Sequence, residues 1–333
     1  MGKGPAGPVP VVVMGLGFIG QEIARAAHAS PEVRLVGAVD TSPKLIGRRL
    51  GELLADPSLS IPVHANLEQA RGRHRDAVVL HATGSRLPQV MDQLLAAIRA
   101  GLCVVSTCEE LSFPFLRHPE LSQQLEREAR KAEVSVLGTG VNPGFAMDKL
   151  VATAGQACGP VRHVSATRVV DARSRREALQ RKIGAGLTEE EFMALADRDE
   201  IGHVGLAESA ALCALGLGLE CDDFEEEIAP LLAQEDIPGG AFPVKKGRVA
   251  GIAQTAVGLE GAQERVRLDL QIAIGAENPR DQIVVEADPK IELVISGGIA
   301  GDRATANLVV NAAPRLSSAD PGLLTVLELP AGR

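Results

Sequence analysis

Val11-Val12-Val13-Met14-Gly15-Leu16-Gly17-Phe18-Ile19-Gly20 joins an unbroken apolar run to a Gly-x-Gly-x-x-Gly turn. A helical pattern follows from Gln21 to Ala29, and Val33 to Asp40 reads as a second strand. Such glycines allow a tight turn, a close approach of a pyrophosphate, and close packing of helix on strand. Asp40 lies about 20 residues after the turn, where a carboxylate accepts the ribose hydroxyls of a bound dinucleotide. The alternative is that the three glycines only make turns in an ordinary βαβ unit. The strand, the helix and the acidic residue that accompany them favour a binding site. The stretch therefore predicts a dinucleotide site at Gly15, Gly17, Phe18, Ile19, Gly20 and Asp40.

Composition limits the classes of partner. A chain of 333 residues suits two domains, and its hydrophobic content of 45% is ample for a core. The net charge of −9 and the aromatic content of 2% argue against nucleic acid or an anionic membrane as the main partner. No apolar run approaches the ~20 residues that span a membrane. The five cysteines are odd in number and have no CxxC spacing, which predicts reduced thiols in the cytoplasm.

The first half of the chain keeps a strand–helix rhythm and predicts a doubly wound parallel sheet. Three consecutive predicted strands end in small or polar residues: Thr83-Gly84, Thr107-Cys108-Glu109-Glu110, and Asn142. Ligands of such sheets bind at the carboxyl ends of the strands. The two glutamates could simply be solvated or cap a helix. Their place at a strand end favours a role in a site, because a carboxylate there can hold an ammonium group or relay a proton.

Basic residues near Asp40 leave the choice of cofactor open. Lys44, Arg48 and Arg49 follow the predicted second strand and could bind the 2′-phosphate of NADP(H), or they could be solvated. The carboxylate of Asp40 repels that phosphate. The expected cofactor is therefore NAD(H) or NADP(H), with NAD(H) slightly favoured.

From about Met147 the pattern changes to that of an α+β domain. Residues 161–170 alternate apolar and polar side chains, and four later segments read as strands joined by Gly, Pro and Asn turns. They predict an open, mostly antiparallel sheet, which tends to be covered by a partner. Arg168, Arg176 and His203 are candidate site residues here, although surface arginines and a structural histidine are the alternative. A last helix is predicted from Ala304 to Ala312, ending before Pro314.

Several motifs together resemble those of the 2,4-diaminopentanoate dehydrogenases and related native amine dehydrogenases, which are distant relatives of dihydrodipicolinate reductase. The resemblance runs from about Val11 to Pro330. The motifs that carry it are Ser106-Thr107-Cys108-Glu109-Glu110, Gly140-Val141-Asn142-Pro143-Gly144-Phe145, Gln180-Arg181-Lys182-Ile183-Gly184-Ala185-Gly186-Leu187, Gly301-Asp302-Arg303-Ala304-Thr305 with Asn311, and Pro321-Gly322-Leu323.

This resemblance implies a domain organisation and an assembly. A Rossmann domain with a dihydrodipicolinate reductase-like N-terminal half is expected over residues 1–146, completed by a returning segment at 301–333. A substrate-binding and dimerisation domain is expected over residues 147–300. The second sheet is expected to form a homodimer interface.

The resemblance also implies a reaction and its residues. The expected activity is NAD(P)-dependent reductive amination of small aliphatic ketones or aldehydes with ammonia, together with the reverse oxidative deamination. Glu109 matches the family's catalytic carboxylate, and Glu110 is a candidate second carboxylate. Asn142 matches a residue near the nicotinamide ribose, joined by Thr83, Gly84 and Thr107. The substrate pocket is expected at Phe113, Phe145, Arg168, Val170, Arg176 and His203.

The physical chemistry of the reaction agrees with a carboxylate and needs no metal. A carboxylate can hold ammonium in the ground state and then stabilise a cationic iminium. The chain lacks the His-His and Lys pattern that dihydrodipicolinate reductases use on their cyclic substrate. This absence argues against the activity of those reductases. A cyclic imine reductase is the alternative enzyme, and a cofactor sensor without turnover is the alternative outside enzymes.

Overall fold

A computed structural model describes residues 7–239, 241, 243–330 and 332. The chain forms two compact units. The first runs to Phe145 and resumes at Ala300, and the second is Ala146–Ile299. Residues 1–6 of the predicted first domain lie outside the described residues.

In the first half of the chain, helices lie between most of the consecutive strands. In chain order the strands are β1 Val9–Met14, β2 Val33–Val39, β3 Val63–His64, β4 Val78–His81, β5 Val104–Ser106, β6 Ser135–Gly138, β7 His163–Asp171, β8 Asp223–Leu232, β9 Val249–Glu260, β10 Gln263–Ala273, β11 Arg280–Glu286, β12 Ile291–Ser296 and β13 Gly322–Leu324. The α-helices are α1 Phe18–Ala29, α2 Leu50–Leu54, α3 Leu67–Arg71, α4 Leu87–Arg99, α5 Pro119–Lys131, α6 Lys149–Gly155, α7 Glu177–Lys182, α8 Glu189–Ala196, α9 Leu206–Leu217 and α10 Gly301–Leu316.

The first unit is built on a parallel sheet, as the sequence predicts. Seven described strands pair in the order β13-β6-β5-β4-β1-β2-β3, and every pair is parallel. Helix α1 packs against α10, and α4 packs against α5. The apolar run Val11–Val13 in β1 is completely buried, as expected for a strand covered on both faces. The predicted Rossmann fold is confirmed.

Helix α10 corrects one prediction. The sequence predicts that this helix ends before Pro314, yet α10 continues through Pro314 to Leu316. A proline costs most in a helix interior, where it removes a hydrogen bond to the preceding turn. Here it lies in the last turn, and both Ala313 and Leu316 are completely buried. Burial of these neighbours favours the extra turn.

The second unit is an α+β layer with a mostly antiparallel sheet, which confirms the predicted fold class. Six described strands pair in the order β12-β11-β7-β10-β9-β8, and β7 with β10 is the parallel pair among them. Helix α9 lies against β8, β9 and β10, and α6 packs against α9 and β11. A capping box at Thr188 and Glu191 begins α8.

Strand β8 is an element that the sequence reasoning missed. It contains Glu225-Glu226-Glu227, a run with low strand propensity. The strand lies at the edge of the sheet and pairs with β9 along its whole length. Charged side chains are common on edge strands because they discourage pairing with another chain. Position in the sheet, which local sequence does not report, explains the strand.

A buried ion pair holds the end of the second unit. The guanidinium of Arg168, only 4% exposed, donates to Asp281 at 2.5 Å and to the backbone oxygen of Ile299 at 2.6 Å. Asp281 in turn accepts from the backbone nitrogen of Ile299 at 2.7 Å. Burial lowers the pKa of Arg168, while the charge of Asp281 opposes that shift. Both backbone groups of Ile299 are therefore fixed by one ion pair.

We expect Arg168→Met to destabilise the chain by about 3–5 kcal/mol, because it leaves the buried Asp281 carboxylate without its cation. Arg173→Met is the control, since Arg173 makes an ion pair with Asp171 that is largely exposed. That control should cost less than about 1 kcal/mol. Urea denaturation of both variants measures the difference, and equal losses would contradict the structural role of Arg168.

Candidate functional site

The turn after β1 has the geometry of a phosphate-binding loop. Gly15 has a φ of +89°, and a Cβ atom there would lie 2.5 Å from the backbone oxygen of Ala82. A Cβ atom on Gly20 would lie 1.7 Å from the backbone oxygen of Gly15. At Gly17 a Cβ atom would meet nothing within 4 Å. Close packing thus requires two glycines, and the third borders open space at the start of α1, where a pyrophosphate fits.

Asp40 lies at the end of β2 beside this turn. Its carboxylate accepts from the backbone nitrogen of Leu16 at 2.7 Å and from that of Ser42 at 2.7 Å. These bonds fix the carboxylate beside the turn and leave further lone pairs, which suit the ribose hydroxyls of a dinucleotide. Lys44, Arg48 and Arg49 are exposed nearby in sequence, and Arg48 is within 3.2 Å of Glu52. These residues fit a nicotinamide dinucleotide.

The three predicted strand ends are neighbours in the sheet. His81 on β4 pairs in register with Ser106 on β5, which pairs with Gly138 on β6. The segments that follow these residues therefore leave the sheet side by side. Thr83 is exposed, Gly84 and Thr107 are half-buried, and Asn142 is buried. The backbone nitrogen of Val141 also donates to Thr305 on α10 at 3.1 Å.

Glu109 and Glu110 do not lie in an extended segment, where adjacent side chains point to opposite faces. They begin a 3₁₀ turn, Glu109–Ser112. Glu110 is only 2% exposed. Its carboxylate accepts from Leu87 N at 2.7 Å, Arg86 Nη1 at 3.0 Å and His118 Nε2 at 2.9 Å. Glu110 therefore caps the start of α4, whereas Glu109 is half-buried at the head of the turn.

Sequence reasoning did not identify His81. It is 1% exposed and lies 2.7 Å from Ser106 Oγ, 2.7 Å from Thr83 Oγ1 and 3.1 Å from Gln93 Oε1. Burial lowers its pKa to about 4, so the imidazole is neutral at pH 7. The available signal was a histidine that ends an otherwise apolar strand directly before Ala82-Thr83.

Two candidate pocket residues, Phe113 and Phe145, belong to the first unit. Phe113 follows the turn, is half-buried, and contacts Phe115 edge-to-face with 5.5 Å between ring centres. Phe145 is also half-buried and is the last residue of the first unit before the chain enters the second. Both aromatic side chains keep part of their surface available.

Candidate residues of the second unit fall into two environments. Burial, with the charges of Lys182 and Arg168, lowers the pKa of His203 to about 3, so His203 is neutral and close to both cations. The backbone of His203 is held by Gln254 at 2.9 and 2.7 Å. Arg176, by contrast, is exposed at the start of α7. Val170 is half-buried on β7, two residues beyond Arg168.

Gln180 explains why the motif Gln180–Leu187 stands out in the sequence. Its buried amide donates to the backbone oxygens of Ala172, Arg173 and Arg175 and accepts from Ala241 N. One side chain therefore orders the arginine-rich loop between β7 and α7. The glutamine is structural, and the sequence reasoning assigned it no such role.

Two kinds of feature are absent from the described residues. In that part of the chain, no group of three or more His, Cys, Asp and Glu side chains is arranged to hold a metal ion. None of the described helices has both the length and the apolar character required to cross a membrane.

Comparison with known proteins places both halves of the chain. A family model described as 2,4-diaminopentanoate dehydrogenase C-terminal domain matches residues 145–333. A model described as dihydrodipicolinate reductase, N-terminus, matches residues 9–107. The 2,4-diaminopentanoate dehydrogenase of Acetoanaerobium sticklandii is 28% identical over 98% of this chain and 94% of its own length. A 4-hydroxy-tetrahydrodipicolinate reductase of Synechocystis is 31% identical, but over only 47% of this chain and 55% of that protein.

Solved structures share the fold. The amine dehydrogenase of Mycobacterium smegmatis superposes with a TM-score of 0.81 at 21% identity, covering 98% of this chain and 97% of that one. GenD2 from gentamicin A biosynthesis, solved in complex with NAD, has a TM-score of 0.50 at 17% identity and covers 89% of this chain and 75% of that one. The whole architecture is thus shared with the amine dehydrogenase.

We expect acid to destabilise the chain through His81. An unfolded histidine has a pKa of about 6.5, whereas that of folded His81 is about 4. Between these values the unfolded chain binds a proton that the folded chain does not, so stability falls as the pH falls. His81→Gln should reduce the loss between pH 7 and pH 5 by on the order of 1–2 kcal/mol. His28→Gln, at an exposed histidine, is the control, and an unchanged slope in His81→Gln would contradict the assignment.

Proposed function

We propose that this chain, which belongs to the 2,4-diaminopentanoate dehydrogenase family, is an NAD(P)-dependent amine dehydrogenase. It catalyses reductive amination of small aliphatic ketones or aldehydes with ammonia and the reverse oxidative deamination. The observation that carries the proposal is the half-buried carboxylate of Glu109. It stands at the end of β5, between neighbouring strand ends that lead to Thr83 and Asn142.

The cofactor contacts divide between two parts of the first unit. Gly15, Gly17, Phe18, Ile19, Gly20 and Asp40 hold the pyrophosphate and the adenosine ribose in this proposal. Thr83, Gly84, Thr107 and Asn142 border the nicotinamide end. The nicotinamide supplies or accepts a hydride at the substrate carbon.

Glu109 acts on the nitrogen of the substrate. In the aminating direction, its carboxylate holds ammonium and takes a proton from it, so that the freed ammonia can attack the carbonyl carbon. Glu109 then returns that proton to the hydroxyl group of the carbinolamine, which leaves as water. The restored carboxylate stabilises the cationic iminium until hydride reaches the carbon. In the reverse direction the same carboxylate accepts the proton that the amine must lose. Phe113 and Phe145, both half-buried in the first unit, supply apolar surface for the substrate in this proposal.

We predict that Glu109→Gln lowers kcat for reductive amination by about 10² to 10⁴ while cofactor affinity stays close to that of the unchanged chain. The amide keeps the size of the side chain and removes the charge. Initial rates with NADH, ammonia and a short ketone measure kcat, and NADH fluorescence measures affinity. Glu120→Gln, at an exposed carboxylate in the first turn of α5, is the matched control.

Glu110→Gln separates the two carboxylates. Since Glu110 caps α4 and binds Arg86 and His118, its loss should lower stability more than the chemical step. The assignment fails if Glu109→Gln keeps most of its activity while Glu110→Gln loses it without loss of stability.

The alternative enzyme is a cyclic imine reductase like dihydrodipicolinate reductase. It is favoured by the family match at residues 9–107, which covers the predicted cofactor half. A rate with a cyclic imine that exceeds the rates with ketones and ammonia would select this alternative. Cofactor binding without turnover on either substrate class would select a sensor.

We predict a preference for NADH over NADPH, because Asp40 lies beside the phosphate-binding turn and repels a 2′-phosphate. The ratio of kcat/KM for the two cofactors measures it. Asp40→Ser should shift that ratio toward NADPH, whereas Arg49→Ala should leave the rate with NADH unchanged. More than about tenfold preference for NADPH in the unchanged chain would show that the exposed basic residues outweigh Asp40.

We propose that the enzyme is a homodimer formed through the second sheet. Along β7, β10 and β11, completely buried residues alternate with partly exposed ones, so one face of this sheet keeps exposed surface. Val284, for example, is half-buried on β11 between Ser165 and Glu292 in register. The five free thiols fit a reducing compartment, and we assign this enzyme to the cytoplasm as part of the proposal.

Light scattering should give twice the chain mass of 34.8 kDa at micromolar concentration. Val284→Arg should yield monomers, because it places a charge on the proposed interface. Leu215→Arg is the control, since Leu215 is 59% exposed on α9. A monomeric unchanged chain would refute the dimer.

A further inference from the structure

A continuous row of hydrogen bonds runs beneath the ends of β4 and β5. Cys108 N donates to Ser106 Oγ at 3.0 Å, and Ser106 Oγ lies 2.7 Å from His81 Nδ1. His81 Nε2 lies 2.7 Å from Thr83 Oγ1. Thr83 Oγ1 then donates to Gln93 Oε1 on α4 at 2.7 Å. These hydrogen bonds connect the segment after β4 with the segment after β5, which are otherwise only neighbours at the edge of the sheet.

With the amide of Gln93 oriented so that Oε1 faces Thr83, one arrangement of protons satisfies every member of this row. Gln93 Oε1 can only accept, so both Thr83 Oγ1 and the ring nitrogen 3.1 Å away must carry protons. His81 is therefore protonated at Nε2 and accepts at Nδ1. Ser106 must then donate its hydroxyl proton to Nδ1, which leaves its oxygen to accept from Cys108 N. A protonated imidazolium would donate to Ser106 Oγ instead and leave the serine hydroxyl proton without an acceptor in this row, and burial of His81 disfavours that form.

The row includes Thr83, a residue of the proposed site, and it begins at Cys108, beside Glu109. Cys108 immediately precedes Glu109, and the backbone oxygen of Cys108 accepts from Leu111 N at 3.1 Å. Its Sγ donates to the backbone oxygen of Ser85 at 3.2 Å. With its amide held by Ser106, Cys108 is fixed at three atoms. Thr83 is an exposed residue on the segment after β4.

We propose that His81 is a positioning residue that sets the places of Glu109 and Thr83 relative to each other through Ser106. This inference rests on the proposed function, because it assigns His81 a role in the reaction that Glu109 performs. A completely buried imidazole suits such a role, since its two nitrogens are rigidly separated and one accepts while the other donates. A misplaced catalytic group can cost about 10²-fold in rate.

Three substitutions of His81 test the contributions of its two ring nitrogens separately. His81→Leu removes both nitrogens, so it should lower kcat by on the order of 10- to 100-fold. It should also weaken the affinity for NADH, because Thr83 loses its partner on the imidazole. His81→Asn keeps an acceptor near Nδ1 for Ser106, so it should restore kcat while the affinity for NADH stays weakened. His81→Gln keeps a donor near Nε2 for Thr83, so it should restore affinity while kcat stays low. The two conservative variants also guard against misfolding of His81→Leu.

A double-mutant cycle tests whether His81 acts through Glu109. In a Glu109→Gln background, His81→Leu should lower kcat no further, because the group that it positions is already gone. The proposal is overturned if His81→Leu lowers kcat equally in the unchanged chain and in Glu109→Gln and also lowers Tm. His81 would then be a core residue only. Equal kcat and NADH affinity in all three His81 variants would also overturn it.

Nuclear magnetic resonance of the imidazole nitrogens tests the row without any activity. The expected spectrum is that of the neutral tautomer protonated at Nε2. In Ser106→Ala the Nδ1 signal should move, because it loses its donor. If the unchanged chain has no amine dehydrogenase activity, the proposed function fails. The spectrum and the NADH affinities of the variants then still test whether His81 holds the segments after β4 and β5 in place. A tautomer protonated at Nδ1 would refute the row itself.

Discussion

Parallel pairing of β4, β5 and β6 is the constraint on which the proposed site depends. Because His81, Ser106 and Gly138 are register partners, the segments after them leave the sheet at one edge. A shift of one residue would turn Ser106 away from His81, since neighbouring side chains in a strand point to opposite faces. It would also move the head of the 3₁₀ turn that carries Glu109. The hydrogen bonds between side chains at this edge therefore depend on the register of the backbone.

Burial separates the two adjacent glutamates into different roles. Glu110 lies in the interior and has a backbone amide, an arginine and a histidine as partners, which is the usual condition for a buried carboxylate. Glu109 keeps part of its surface exposed. A carboxylate that stabilises a transient cation must remain able to exchange its partner. The structural role of Glu110 thus differs from the catalytic role that we propose for Glu109.

Polar side chains in the second unit show the same use of buried hydrogen bonds to hold backbone. Arg168 and Asp281 together fix both backbone groups of Ile299, and Gln180 orders the loop after β7. Each of these side chains is almost completely buried. Leaving such a group unsatisfied is costly, so each interaction favours a single backbone arrangement. Residues that look like catalytic candidates by charge are in part such supports.

Local sequence determined the Rossmann turn, the parallel order of the first half and the change to a mostly antiparallel sheet. Glycines at fixed spacing and runs of apolar residues act over short distances, and their conformational demands are the same in any context. The motif around Glu109 was also recognisable because its residues are contiguous. Only the tertiary structure decided that Glu110 is a cap, that β8 is an edge strand, that α10 continues past Pro314, and that His81 joins two strand ends. Each of these depends on a partner far away in the chain, because burial and hydrogen bonding there outweigh the local preference of the residue.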